Sequence, residues 1–282
     1  MNHNSPVSIR SFLAKRKLAP RRRWGQNFLI NRGAREKLIS HLEIVPGQKI
    51  WEIGAGLGAM SEMILDRGAQ LTVFEIDSAY CDWLNEYLRG REICVLEGDV
   101  MKNWRAQRDK HKIDRILGNL PYNVASATIS ALIENRCLTP INIFVVQEEM
   151  CERIISKPGL KTYSSFSVLC QTGAIINDIG RLSPGSFYPR PRVNSRMILM
   201  RPAEPYGRIE DPAQFRLLVR TSFSSRRKIL SNCLDRLDSL TKFPTKESVK
   251  EAFHAEKINL RQRPEAISPG QWVTLSNRIA KS

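Results

Sequence analysis
The stretch Trp51-Glu52-Ile53-Gly54-Ala55-Gly56-Leu57-Gly58-Ala59 reads as an apolar strand that ends in three alternate glycines before a helix. Glycine lets a backbone turn sharply and lets a ligand approach where a Cβ would block it. Around that turn, Lys49–Ile53, Leu71–Ile76, Ile93–Leu96, Ile113–Leu117 and Ile141–Gln147 have the pattern of buried strands. The spacing predicts helices near Ala59–Asp66, Ala79–Leu88 and Val124–Ile133, with a short amphipathic one over Gly33–Glu43 closed by Pro46-Gly47. Repeated strand–helix–strand units predict an α/β domain on a mostly parallel sheet. Ala174–Leu182 and Val193–Met200, joined by the turn-rich Ser183-Pro184-Gly185-Ser186, predict an antiparallel addition at one edge. Past Pro202–Gly207, the segments Gln214–Phe223, Arg226–Leu237, Ser248–Phe253 and Pro269–Ile279 carry helical spacing without a strand pattern. The expected organisation is a basic arm over 1–20, an α/β domain over 21–203 and a small helical domain over 204–282.

The chain of 282 residues has 44 Lys and Arg against 28 Asp and Glu, a formal charge of +16. That length suits one large or two unequal domains, and 42% hydrophobic residues exclude wholesale disorder. No stretch approaches the roughly 18 consecutive apolar residues of a spanning helix, so the expectation is a soluble, cytoplasmic protein whose charge suits a polyanion. Six cysteines without a C-x-x-C pair or a zinc-like spacing predict a reducing compartment and no metal. Nine basic residues precede the first acid, Glu36. Such a composition is shared by nucleic-acid-binding arms and organelle transit peptides, though no apolar signal core is present. Met1–Pro20 is expected to add little to the core.

About twenty residues after the glycines, the second strand ends in Glu75, a carboxylate placed to accept hydrogen bonds from ribose hydroxyls. The glycines alone fit a dinucleotide equally well, because Gly54, Gly56 and Ala59 also satisfy that pattern. Two further features favour S-adenosylmethionine. Asp99, in Leu96-Glu97-Gly98-Asp99-Val100, offers an acceptor to an adenine amine, and Gly118-Asn119-Leu120-Pro121-Tyr122 follows the fourth strand. Ligands of open α/β sheets gather at the carboxyl ends of strands, where Gly54, Glu75, Asp99 and Asn119 are expected to converge.

Asn119-Leu120-Pro121-Tyr122 lies between a strand and a helix as a rigid turn at the mouth of that site. An adenine amine is a poor nucleophile because its lone pair is delocalised into the ring. The Asn119 side-chain oxygen and the Leu120 carbonyl form an acceptor pair that favours a tetrahedral nitrogen in the transition state. Tyr122 offers a face on which an unpaired or flipped base can stack.

These segments together resemble the ribosomal RNA adenine dimethyltransferase family, and within it the small-subunit branch that methylates two adjacent adenosines. The resemblance covers nearly the whole chain after residue 21. It rests on Gly25-Gln26-Asn27-Phe28-Leu29, Glu52 to Gly58, Glu75-Ile76-Asp77, Gly98-Asp99, Asn119 to Asn123, Val146-Gln147-Glu148-Glu149 with Arg153, Phe187 to Ser195, Phe223 with Arg226-Arg227-Lys228, and Arg263-Pro264-Glu265. It implies a Rossmann-like class I methyltransferase sheet beside a C-terminal helical domain. It also implies contacts from Asn27 and Leu29 to the cofactor, alongside Gly54, Gly56, Glu75, Asp99 and Asn119. The implied partner is small-subunit ribosomal RNA or the immature small ribosomal subunit, met by a monomer and without a membrane. Departures are mild: Ala59-Met60-Ser61 stands where Ala-Leu-Thr is frequent, Ser164 follows Tyr163 in place of Gly, and Pro264 replaces the usual Ala.

Arg216–Arg263 holds twelve Lys or Arg against five acids. Arg226, Arg227 and Lys228 are the expected phosphate contacts there, which give affinity without reading sequence. Phe187, ahead of the proline-rich turn, is expected to stack on the target adenine opposite Tyr122. Competing readings are a large-subunit adenine methyltransferase of the resistance type, a non-catalytic RNA-binding assembly or transcription factor, and a dinucleotide oxidoreductase. Leu120 and the Phe223–Lys228 segment favour the small-subunit branch, since resistance enzymes more often carry Ile at the former place.

Overall fold
Apolar runs of five to seven residues form the central strands, and the glycine, proline and Asx positions between them set the turns. In chain order the elements are α1 (Pro6–Lys15), β1 (Phe28–Leu29), α2 (Arg32–His41), β2 (Lys49–Ile53), α3 (Ala59–Leu65), β3 (Gln70–Glu75), α4 (Ser78–Tyr87), β4 (Ile93–Glu97), α5 (Val100–Arg108), β5 (Arg115–Asn119) and α6 (Ala125–Glu134). There follow β6 (Ile141–Gln147), α7 (Glu148–Ile155), α8 (Ser165–Gly173), β7 (Ala174–Leu182), β8 (Phe187–Tyr188), β9 (Ser195–Pro202), α9 (Glu204–Gly207), α10 (Pro212–Ser222), α11 (Leu230–Leu234), α12 (Lys246–Ala255) and α13 (Pro269–Ala280). The computed structural model describes residues 1–21, 24–108, 112–121, 124–225, 228–234 and 246–281. They form two compact units, one of Met1–Leu132, Arg136–Cys151 and Ile176–Arg201, the other of Ile133–Asn135, Glu152–Ile175 and Pro202–Ser282.

In the first unit the seven-stranded sheet has the order β4-β3-β2-β5-β6-β9-β7. Strands β2 to β6 pair in parallel, and β9 lies antiparallel on β6, giving the mostly parallel sheet with an antiparallel edge region that the sequence predicts. The strand order reverses at β2, which has β3 on one side and β5 on the other. That reversal opens a crevice at the carboxyl ends of those strands. The register levels the ends: Ile53 pairs with Phe74 on one side and Gly118 on the other. Ile141–Val146 are all buried, as expected of a parallel strand covered on both faces. A separate two-stranded ribbon joins β1 to β8, pairing Phe28 with Tyr188 and Leu29 with Phe187.

The basic arm is a helix. Ser5 caps α1 by accepting from the Ser8 N–H, Pro6 occupies its first turn, and Ile9 and Leu13 lie one turn apart on a single face. Both are buried against Phe28, Leu57 and Tyr80, so Met1–Pro20 does contribute to the core, contrary to expectation. The charge of the segment conceals an apolar pair at helical spacing.

In the second unit Trp272 of α13 is fully buried, with Phe223 and Phe253 at ring-centroid distances of 6.0 and 6.4 Å. Ser268 and Gln271 form a capping box at the start of α13. The Tyr163 hydroxyl donates to the Ile267 carbonyl at 3.0 Å. Beyond the residues after 203 expected to form the helical domain, the unit takes in Glu152–Ile175, because α8 packs on α10 and α13. A Cβ at Gly173 would lie 2.2 Å from Cγ2 of Ile133, whereas one at Gly270 would meet nothing within 4 Å. Gly173→Ala is expected to destabilise the protein by about 1–3 kcal/mol and Gly270→Ala to leave it unchanged or slightly more stable, as read by denaturant unfolding.

Candidate active site at the glycine turn
Beyond β2 the chain turns through Gly54, Gly56 and Gly58 at φ of 77°, 53° and 83°, a region that side chains disfavour. A Cβ at Gly56 would come within 2.8 Å of the Phe28 ring, so β1 can close on the turn only with glycine there. The Gly56 N–H donates to Oε2 of Glu75 at 2.9 Å, tying the turn to the end of β3. A Cβ at Gly54 would stand 3.4 Å from the Asn119 carbonyl, which marks how near the ends of β2 and β5 come.

These ends line an open cavity whose empty space, with the solvent at its mouth included, is about 1070 Å³. Asn27, Leu29, Gly54, Gly56, Glu75, Asp99 and Asn119 all line it. So do His3, Ile9, Trp24 and Gln26, which sequence reasoning missed because they arrive from the N-terminal segment by tertiary packing. Ile76 and Val100 add apolar surface beside Glu75 and Asp99, and their signal was only their place next to those acids.

Glu75 is buried, and desolvation pushes its pKa up, while N–H bonds from Gly56 and Asp77 oppose the rise. Each carboxylate oxygen accepts one of these bonds, leaving acceptor capacity on both. Asp99 accepts from the Met101 N–H at 2.9 Å. The Asn119 amide donates from Nδ2 to the Asn27 carbonyl at 2.9 Å. A carbonyl can only accept, so this bond fixes the amide's orientation and leaves Oδ1 as the outward acceptor.

Leu120 buries its side chain, and its N–H donates to the Val145 carbonyl at 3.3 Å, so only its backbone carbonyl can serve a ligand. Tyr122, Arg226 and Arg227 lie outside the described residues. Lys228 is exposed in the second unit, and its N–H donates to the Ser225 carbonyl at 2.9 Å. Phe187, expected from the sequence to stack on the target adenine, is 2% exposed in the cluster that contains Leu29, Leu117 and Met197, and its backbone pairs with Leu29 in the β1–β8 ribbon.

Glu52, the penultimate residue of β2, is fully buried and accepts from the Ser61 hydroxyl at 2.5 Å. Burial pushes its pKa up to about 7. A folded-state pKa above the unfolded value means that the folded protein holds the proton more tightly. The stabilisation is therefore complete below about pH 4.5 and is lost as pH rises toward about 7. Glu52→Gln keeps an acceptor for Ser61 without the ionisation, and should flatten the pH dependence of unfolding free energy across that window.

Residues 18–281 match the family described as ribosomal RNA adenine dimethylase. Ribosomal RNA small subunit methyltransferase A of Borreliella burgdorferi (strain ZS7) is 40% identical over 280 residues, covering 99% of this chain and 95% of that protein. The protein of the same name from Treponema denticola is 37% identical over 237 residues, 83% of this chain and 81% of its own length. Among solved structures, a dimethyladenosine transferase from Plasmodium falciparum superposes with a TM-score of 0.76 at 23% identity, over 89% of this chain and 96% of that one. The 23S rRNA methyltransferase ErmE does so with a TM-score of 0.64 at 22% identity, over 90% and 100%. Those two share the fold. With the sequence match running from before the Gly25–Leu29 segment to the last helix, the chain belongs to the ribosomal RNA adenine dimethylase family.

Proposed function
We propose that this protein transfers methyl groups from S-adenosylmethionine to the exocyclic amines of two adjacent adenosines in small-subunit ribosomal RNA, twice per base. The observation that carries the reading is the cavity in which the glycine turn, Glu75, Asp99 and an oriented Asn119 amide meet. The full-length similarity to proteins named ribosomal RNA small subunit methyltransferase A supports the choice of substrate.

The cradle suits such a cofactor, since the turn has no room for a Cβ at Gly56 and Glu75 keeps acceptor capacity for ribose hydroxyls. Asn27, Leu29, Gly54 and Gly56 would flank it, and Asp99 would accept from its adenine amine. When bound, S-adenosylmethionine supplies an electrophilic methyl group on a sulfonium. The chain's own part is to hold the target nitrogen. Oδ1 of Asn119 and the carbonyl of Leu120 accept from the amine, drawing its lone pair out of conjugation as the new N–C bond forms. Tyr122 stacks on the extruded base.

Positive charge supplies the RNA affinity, with Arg226, Arg227 and Lys228 of the helical unit on phosphates. The reading has the protein act as a monomer on the immature small ribosomal subunit in the cytoplasm. Among the described residues no helix is long and apolar enough to cross a membrane.

Labelled methyl groups from S-adenosylmethionine should appear as dimethyladenosine in under-methylated small subunits, and their absence with wild-type protein defeats the reading. Asn119→Ala should lower turnover by about 100-fold or more at nearly unchanged RNA affinity. Reversing Arg226 and Arg227 to Glu should weaken RNA binding and make its salt dependence shallower, at unchanged cofactor affinity.

A further inference from the structure
Asp77 stands two residues beyond Glu75, is 1% exposed, and is not part of the cavity lining. Its Oδ1 caps α4 by accepting from the Ala79 N–H at 3.2 Å, and its own N–H donates to Oε1 of Glu75 at 3.1 Å. Its second oxygen faces the N-terminal segment. Oδ2 accepts from Nε2 of Gln26 at 3.3 Å and lies 3.5 Å from Nε of Arg21. The Gln26 amide cannot be reversed, because its Oε1 accepts from the Arg21 N–H at 2.7 Å. The Arg21 guanidinium in turn lies 4.6 Å from the centroid of the Trp24 ring. Trp24, Gln26 and Asn27 line the cavity, and the Asn27 carbonyl is the acceptor that orients Asn119.

We propose that Asp77 is a positioning residue: its carboxylate clasps Gln26 and Arg21, hangs the Trp24–Asn27 wall on α4, and through Asn27 sets the orientation of the Asn119 amide. The clasp needs a carboxylate because both groups facing Oδ2 are donors, while Oδ1 is committed to the helix cap. An asparagine at 77 retains the cap but presents Nδ2 to the Gln26 amide, donor against donor. Gln26→Glu reverses the polarity of the pair, since the carboxylate introduced at position 26 would accept from that Nδ2 and still accept from the Arg21 N–H.

The proposal rests on the methyl-transfer reading for its kinetic consequences but not for its geometry. The experiment compares wild type, Asp77→Asn, Gln26→Glu and the double variant. It measures S-adenosylmethionine affinity by calorimetry, kcat and KM on under-methylated small subunits, and hydrogen exchange of the peptide spanning residues 24–30. Each single variant should lose about tenfold in cofactor affinity, lower kcat as well as raise KM, and exchange faster in that peptide. The double variant should recover most of all three. Asp77→Ser, which retains a capping oxygen and removes the clasp, should reproduce the single-variant loss, and it serves in place of Asp77→Asn where that variant does not fold. Wild-type affinity and kcat in the folded single variants, or a double variant no better than the worse single one, overturns the proposal. A wild-type protein that neither binds nor transfers the methyl donor instead defeats the functional reading, and the exchange data then decide the clasp alone.

Discussion
The Gly56 N–H bonded to the Glu75 carboxylate joins the turn after β2 to the end of β3, and the rest of the site is arranged around that bond. It holds the glycine backbone against β3 and keeps a buried carboxylate pointed into the crevice where the strand order reverses. The fold supplies the bond cheaply, because parallel pairing with level register brings both strand ends to one height. Phe28 then packs on Gly56 at a distance no Cβ would permit, which closes the cavity from the N-terminal side.

Three buried carboxylates lie beneath this turn, and each meets the cost of desolvation differently. Glu52 has one hydroxyl donor and a pKa pushed up to about 7, so its proton does much of the compensating. Glu75 relies on backbone N–H donors, those of Gly56 and Asp77 foremost, which hold it partly against burial. Asp77 has a helix N-terminus, an amide and a nearby guanidinium.

The N-terminal segment shows how charge and packing divide their tasks. Burying Ile9 and Leu13 is worth roughly 1.5–3 kcal/mol each. The bidentate Arg16–Glu86 pair, exposed on both sides, adds little stability of its own, and its guanidinium also rests 5.0 Å from the Trp83 ring. Apolar contacts therefore seat α1 over the cavity, leaving most of its basic side chains directed to solvent and available to a polyanion.

The alternation of apolar runs with glycine turns determined the parallel sheet, and the rule that ligands gather at strand ends located Gly54, Glu75, Asp99 and Asn119 from their positions in the chain. Those features are local: a strand's burial and the conformation of a glycine turn are written in a few consecutive residues. Only the tertiary structure decided that Ile9, His3 and Trp24 wall the cavity, that Phe187 faces the core, and that Asn27 orients Asn119 across 92 positions of sequence. Apart from the helical spacing of Ile9 with Leu13, none of these leaves a periodic trace. Whether a ring is buried, or an amide turned one way, depends on which distant backbone group happens to stand within about 3 Å of it, and that is fixed when the chain closes on itself.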